Sequence, residues 1–125
     1  MSRIFLLVGI GGFIGSVVRY YFSHLINLNF PSSFPLGTFI VNLSGCLLIG
    51  IIFGFSEKGN LLSPEWRFFL ATGFCGGFTT FSAFSLENLF LLREGEYFYV
   101  SLYTLASVVL GVVATLLGFL FTKLI

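Results

Sequence analysis

The stretch that decides the fold is residues 73–84, GFCGGFTTFSAF, which lies inside a run from Phe68 to Leu86 without a charged residue. About 20 apolar residues are enough to cross a bilayer as a helix. The stretch nevertheless contains three glycines and the pair Thr79 and Thr80, all of them poor helix formers. It therefore predicts a membrane-spanning segment whose helix is interrupted part-way across.

The composition of the whole chain places it in a membrane. Of its 125 residues, 57% are hydrophobic and only 9% are charged, whereas a soluble domain has about a quarter charged residues. The net charge of +1 provides no basic patch for nucleic acid. We expect an integral membrane protein whose surroundings are the lipid bilayer, in the inner or plasma membrane.

Four apolar runs are long enough to span a bilayer, at about residues 4–26, 34–55, 66–92 and 97–122. The runs are continuous rather than alternating, so they predict helices and not a transmembrane barrel. The connections between them are short, so successive helices run antiparallel. We predict an all-α fold in which residues 1–125 form a single four-helix transmembrane domain with a broken third helix.

The orientation of the chain in the membrane is weakly determined by its charges. Arg3, Lys58, Arg67 and Lys123 lie on the side shared by the two ends and the middle loop, and Arg19 and Arg93 lie toward the other side. Lysine and arginine counts set orientation, and four against two is a small bias. Such a chain can insert both ways, which permits an antiparallel homodimer.

Groups for enzyme chemistry are scarce. The chain has no Asp, its one His is His24 near a helix end, and Glu87 is its only carboxylate within a span. No nucleophile–base set or metal-ligand cluster is recognisable, so we do not expect an enzyme. Cys46 and Cys75 lie in separate apolar runs, and we expect them to pack as small apolar side chains.

Polar residues within the spans are candidates for function because the bilayer makes them costly. Asn42, mid-way along the second span, either bonds to another helix or donates to a permeating anion. Arg19 either extends to the headgroups or makes an entrance electropositive. Tyr103 and Ser107, four residues apart on one face of the fourth span, could line a wet path.

A break in the third span would free backbone groups that must be buried in protein or paired with water or an ion. Freed carbonyls suit a small cation, and helix starts favour anions. Phe81 and Phe84 are three residues apart on the helix that resumes. The edge of a phenylalanine ring carries partial positive charge, so these edges can solvate an anion weakly, although ordinary packing also explains such a pair.

Three motifs together resemble the Fluc (CrcB) fluoride channel family over essentially the whole chain. They are GGFIGSVVRY at residues 11–20, GTFIVNLSGCLLIG at 37–50 and GFCGGFTTFSAFSLE at 73–87. The last motif is long and unusual in composition, so chance agreement is improbable. Ala83 stands where the family usually has Thr, and Gly111 lacks a hydroxyl that some relatives carry.

The resemblance implies a fluoride-selective passive channel that exports cytoplasmic fluoride and so reduces its toxicity. It also implies an antiparallel, dual-topology homodimer with a central structural sodium ion, held by the backbone carbonyls of Gly76 and Thr79. Fluoride would then pass a set of pathway residues. By resemblance they are Asn42, Phe81 and Phe84, and, with weaker support, Ser82, Thr38, Tyr103, Ser107 and Arg19.

Two other functions compete with this one. A four-helix drug/proton antiporter has a similar size, but it needs a carboxylate in the first helix, where the only charge is Arg19. A non-conducting scaffold subunit would explain glycine pairs such as Gly11 and Gly15, which allow close helix packing. It would leave the interrupted third span and Asn42 unexplained.

Overall fold

The computed structural model describes residues 1–59 and 61–125, and these are helical almost throughout. Helix α1 spans Ser2–Asn29 and helix α2 spans Leu36–Ser56. The third span, Pro64–Arg93, is divided into several helical pieces, and helix α6 spans Tyr97–Leu124. Within the described residues, these four segments are long and apolar enough to cross a membrane, so the predicted four-helix, all-α fold is confirmed.

The third span contains the interruption. It begins with α3 at Pro64–Arg67, continues with π-helical turns over Phe68–Cys75, and ends its first half with α4 at Gly76–Phe78. These three pieces are called the N-terminal half-helix below. The second half is α5, Phe81–Arg93. Between the halves, Thr79 and Thr80 have extended backbones, with φ/ψ of −89°/157° and −149°/124°.

The ends of the helices are set by local chemistry. Pro64 occupies the first turn of α3, where its missing N–H costs nothing, and the Ser63 hydroxyl oxygen accepts from the Trp66 N–H at 3.3 Å. The turn between α5 and α6 contains Gly95 at φ 74°, a left-handed conformation that favours glycine. Short connections of this kind keep neighbouring helices antiparallel.

Glycines bring the helices into contact. A Cβ added at Gly11 would lie 2.5 Å from the Phe69 carbonyl oxygen, so α1 packs directly on the backbone of the N-terminal half-helix. Helix α2 packs on α6 in the same way, since a Cβ at Gly118 would overlap the Leu47 carbonyl oxygen. Small residues allow such approach in membranes. The two pairs of helices hold the break at a fixed position between them.

Candidate functional site

The backbone at the break is bonded by a side chain from α2. Asn42 Nδ2 donates to the Thr80 carbonyl oxygen at 3.0 Å, and Asn42 Oδ1 accepts from the Thr80 N–H at 2.8 Å. One amide side chain thus satisfies both backbone groups of an extended residue, as a neighbouring strand would. The bond between helices, which was one of the two alternatives for Asn42, is present.

Arg19 bonds to a second backbone group at the break. Its Nε donates to the Gly77 carbonyl oxygen at 3.0 Å, in a partly buried position. In a continuous helix the Gly77 carbonyl would accept from the N–H of Phe81, four residues on. Arg19 therefore replaces a helical hydrogen bond that the break removes, and its guanidinium points into the protein rather than to the headgroups.

The carbonyls of Gly76 and Thr79 lose their helical donors. The Thr80 N–H, which would donate to Gly76 in a continuous helix, donates to Asn42. The Ala83 N–H, which would donate to Thr79, is bonded at 3.1 Å to the Thr80 hydroxyl oxygen, the N-cap of α5. Both residues line an open groove beside the break. Their carbonyls are hard oxygen donors of the kind that small cations prefer.

This groove has a volume of about 640 Å³ and is open along one side of the chain. Its lining is largely apolar, and six of the predicted site residues contribute to it. They are Asn42, Gly76, Thr79, Phe81, Phe84 and Ser107. The centroids of the Phe81 and Phe84 rings are 5.6 Å apart. The Phe81 side chain is 78% exposed, so this ring stands at the open edge of the groove.

A hydrogen-bonded carboxylate lies behind the Phe84 ring. Thr38 Oγ1 donates to Glu87 Oε2 at 2.7 Å, and the Tyr103 hydroxyl donates to Glu87 Oε1 at 2.8 Å. Tyr103 is fully buried, and its ring is 4.8 Å from that of Phe84. Both hydroxyl protons point at the carboxylate. Thr38 and Tyr103 therefore hold Glu87 in place and are not among the residues that line the groove.

The two predicted serines lie in different surroundings. Ser107 lines the groove, and its hydroxyl oxygen is buried without a hydrogen-bond partner among the described residues. Ser82 is exposed, 3.3 Å from the Thr80 hydroxyl. An orphaned polar atom inside a membrane span is costly. Ser107 is thus a groove-lining residue whose hydroxyl has unused hydrogen-bonding capacity.

Comparison with known proteins places these features in a family. The model of the CrcB-like family, also described as Camphor Resistance (CrcB), matches residues 6–119. A protein of Flavobacterium psychrophilum is 48% identical over 123 residues, which cover 98% of both chains. One of Azobacteroides pseudotrichonymphae is 51% identical over 123 residues, with the same coverage.

The chain belongs to the CrcB family. Both of these relatives are named fluoride-specific ion channel FluC. These names are those of an ion channel and not of an enzyme, as the sequence predicted. With its four spanning helices, this CrcB chain is a multi-pass protein of the cell membrane.

Sequence reasoning missed two features of this CrcB chain. It did not identify Thr80 as the residue that Asn42 binds, although Thr before a helix is a common N-cap. It also identified Glu87 only as a carboxylate within a span, whereas this carboxylate accepts hydrogen bonds from Thr38 and Tyr103. Glu87 follows Thr80 by seven residues, or two helical turns, and this spacing could have placed it on the same side of α5.

Proposed function

We propose that the protein is a passive, fluoride-selective ion channel. The observation that carries the proposal is the break at Thr79 and Thr80, which puts unpaired carbonyls, an orphaned hydroxyl and two phenylalanine rings into one groove within the membrane. Irregular backbone at membrane depth is tolerated where it is buried in protein or lines a water-filled path. The names of relatives about half identical to this chain indicate fluoride as the ion.

The groove is suited to an anion that must pass without being trapped. Among the described residues its lining contains no charged side chain, so no ammonium or guanidinium of the lining would hold fluoride tightly. Ring edges of Phe81 and Phe84 would supply weak positive potential. Asn42 Nδ2 carries a second N–H beyond the one that bonds Thr80. This N–H and the Ser107 hydroxyl would replace part of the water that fluoride sheds.

A sodium ion held by Gly76 and Thr79 is part of the proposal. Two N–H groups that would donate to these carbonyls in a continuous helix donate instead to Asn42 Oδ1 and Thr80 Oγ1. Both carbonyl oxygens therefore remain available to a cation, which supports the fit. A bound sodium ion would supply fixed positive charge near a passing anion. The chain's own contribution is to break the helix, to satisfy the Gly77 carbonyl with Arg19, and to present the remaining oxygens.

The working unit would be an antiparallel, dual-topology homodimer. The groove exposes polar atoms to one side of the chain, and lipid cannot satisfy them. A second copy offers matching carbonyls and rings, and the weak lysine and arginine bias permits it to insert in the opposite orientation. In this arrangement fluoride that enters a cell as the neutral acid and ionises inside would leave down its gradient.

The test is ion flux from liposomes that contain the purified protein. We expect fluoride efflux down its gradient, almost no chloride efflux under matched conditions, and no dependence on an imposed proton gradient. Proton-driven efflux of organic cations would instead favour an antiporter. A well-folded protein without flux of any ion would favour a scaffold. Replacing sodium with a bulky organic cation should abolish flux, and full flux without sodium would reject the metal site.

A further inference from the structure

Two thiols lie in the wall of the groove and have no part in the proposed anion path. Cys46 is on α2, and Cys75 ends the π-helical turns immediately before Gly76. Both are free cysteines and both line the groove. Gly45, next to Cys46, contacts the side chain of Thr79, which is one helical turn after Cys75. Folding thus brings together two soft ligands that are well separated in sequence.

Helix α6 adds a third donor on the same side. The buried hydroxyl oxygen of Ser107 has no partner among residues 1–59 and 61–125. Gly111 is one turn further along the same face of α6, and a Cβ placed there would lie 3.5 Å from Cys46 Sγ. The face of α6 that carries the orphaned oxygen is therefore the face turned toward Cys46.

We propose that Cys46 and Cys75 together form a binding site for one soft monovalent cation, with Ag⁺ as the probe, and that its occupation obstructs the groove. Thiol sulfur selects soft metals. Across the described parts of the chain, no third His, Cys, Asp or Glu joins the pair to make a cluster. Zinc takes four protein ligands in structural sites, whereas Ag⁺ is satisfied by two sulfurs.

Charge balance also favours a monovalent ion. On binding, one of the two thiols would release its proton to water in the groove, and the other would coordinate as a neutral thiol. The Ag⁺ and the single thiolate then sum to zero charge. A net charge at membrane depth is costly, so a divalent ion at the same two sulfurs would be disfavoured unless both lost their protons.

The two thiols differ in exposure, and this difference limits the size of the reagent that can reach both of them. Cys75 is only 2% exposed, whereas Cys46 is half-buried. A bare metal ion can move between them from the groove. A bulky alkylating reagent should therefore modify Cys46 first and leave Cys75 unmodified. Modification of Cys46 alone should prevent Ag⁺ binding.

The experiment is a titration of the purified protein with silver nitrate in a chloride-free medium of high sodium concentration. Sodium competes for oxygen ligands, so the Ag⁺ that still binds is held by sulfur. We expect one Ag⁺ per chain, one proton released per ion, and a new ultraviolet charge-transfer band. Cys46→Ser and Cys75→Ser should each lower the affinity at least about tenfold, and the double variant should show no band.

Matched variants distinguish a loss of Ag⁺ binding from a loss of the folded protein. Cys75→Ala removes the buried thiol as Cys75→Ser does, but it introduces no hydroxyl that could itself bind the metal or disturb packing. Size-exclusion profiles check that each variant is folded. Equal binding by the wild type and the double variant would overturn the proposal. Single variants that keep the full affinity would show two separate thiols and would overturn the shared site.

The obstruction is tested with fluoride flux, and this part rests on the proposed function. We expect Ag⁺ to block wild-type flux, excess small thiol to restore it, and the double variant to be insensitive, each measured relative to its own flux without metal. Flux that persists in the Ag⁺-bound wild type would overturn the obstruction. A protein that binds Ag⁺ but never conducts fluoride would instead reject the channel and keep the thiol site.

Discussion

The backbone groups at the break form two sets, which differ in whether side chains from other helices satisfy them. In the satisfied set, Arg19 donates to the Gly77 carbonyl and Asn42 bonds both backbone groups of Thr80. In the open set, the carbonyls of Gly76 and Thr79 lose their helical donors beside an open groove. The chain therefore satisfies by itself the groups that hold the break open. The carbonyl oxygens of Gly76 and Thr79 remain free to bind a small cation.

The largest effect should come from Asn42→Ala, which acts on the satisfied set. The change leaves two partly buried backbone groups of Thr80 without partners, at up to about 1–3 kcal/mol each. We expect thermal stability and fluoride flux to fall together. Ser44→Ala, at an exposed position of the same helix, is the control. Lost stability with wild-type flux would limit Asn42 to bonding the helices together.

Arg19→Ala should have the next largest effect. It removes the donor to the Gly77 carbonyl and should lower the free energy of unfolding by about 1–3 kcal/mol. Arg93→Ala, at an exposed position near the end of α5, should leave stability unchanged. Thermal unfolding in detergent measures both variants. If the two variants unfold alike, Arg19 does not help to hold the break.

Among the rings that line the groove, Phe81→Ile and Phe84→Ile should lower flux with little change in stability. Edge contacts between two aromatic rings are worth about 0.5–1.5 kcal/mol. A contribution of the same size to the passing anion corresponds to about a two- to tenfold decrease for each ring. Phe98→Ile changes a ring on α6 that is 73% exposed and should conduct normally. Wild-type flux in both Phe81 and Phe84 variants, with dimers intact, would exclude an aromatic path.

The smallest effect should come from Ser82→Ala. Ser82 is exposed and makes one long hydrogen bond, 3.3 Å to the Thr80 hydroxyl. We expect a stability change within about 0.5 kcal/mol and nearly unchanged flux. Ser107→Ala provides the comparison, because its buried hydroxyl lines the groove. Equal flux losses in the two serine variants would contradict the expectation that the groove-lining Ser107 affects conduction more than the exposed Ser82.

Several elements were predictable from local sequence. The apolar runs predicted four helices, and each ends beyond its predicted limit, as α1 does by continuing to Asn29. Helical hydrogen bonding need not stop at the edge of the hydrocarbon. Helix α2, in contrast, begins at Leu36 and not at residue 34. The position of the break was placed only approximately, among Gly73, Gly76, Gly77 and the two threonines. In the structure all three glycines are helical, and Thr79 and Thr80 are extended.

The sequence by itself determined that the chain crosses a membrane, that its third span is interrupted and that two phenylalanines follow the interruption. These are properties of composition and of neighbouring residues. Only the tertiary structure decided which freed backbone groups are satisfied, because Arg19 is 58 residues from Gly77 and Asn42 is 38 from Thr80. Glycine contacts such as that of Gly11 with Phe69 set those distances. The spacing of the glycines indicates close helix packing, but it does not say which distant segment lies opposite each glycine.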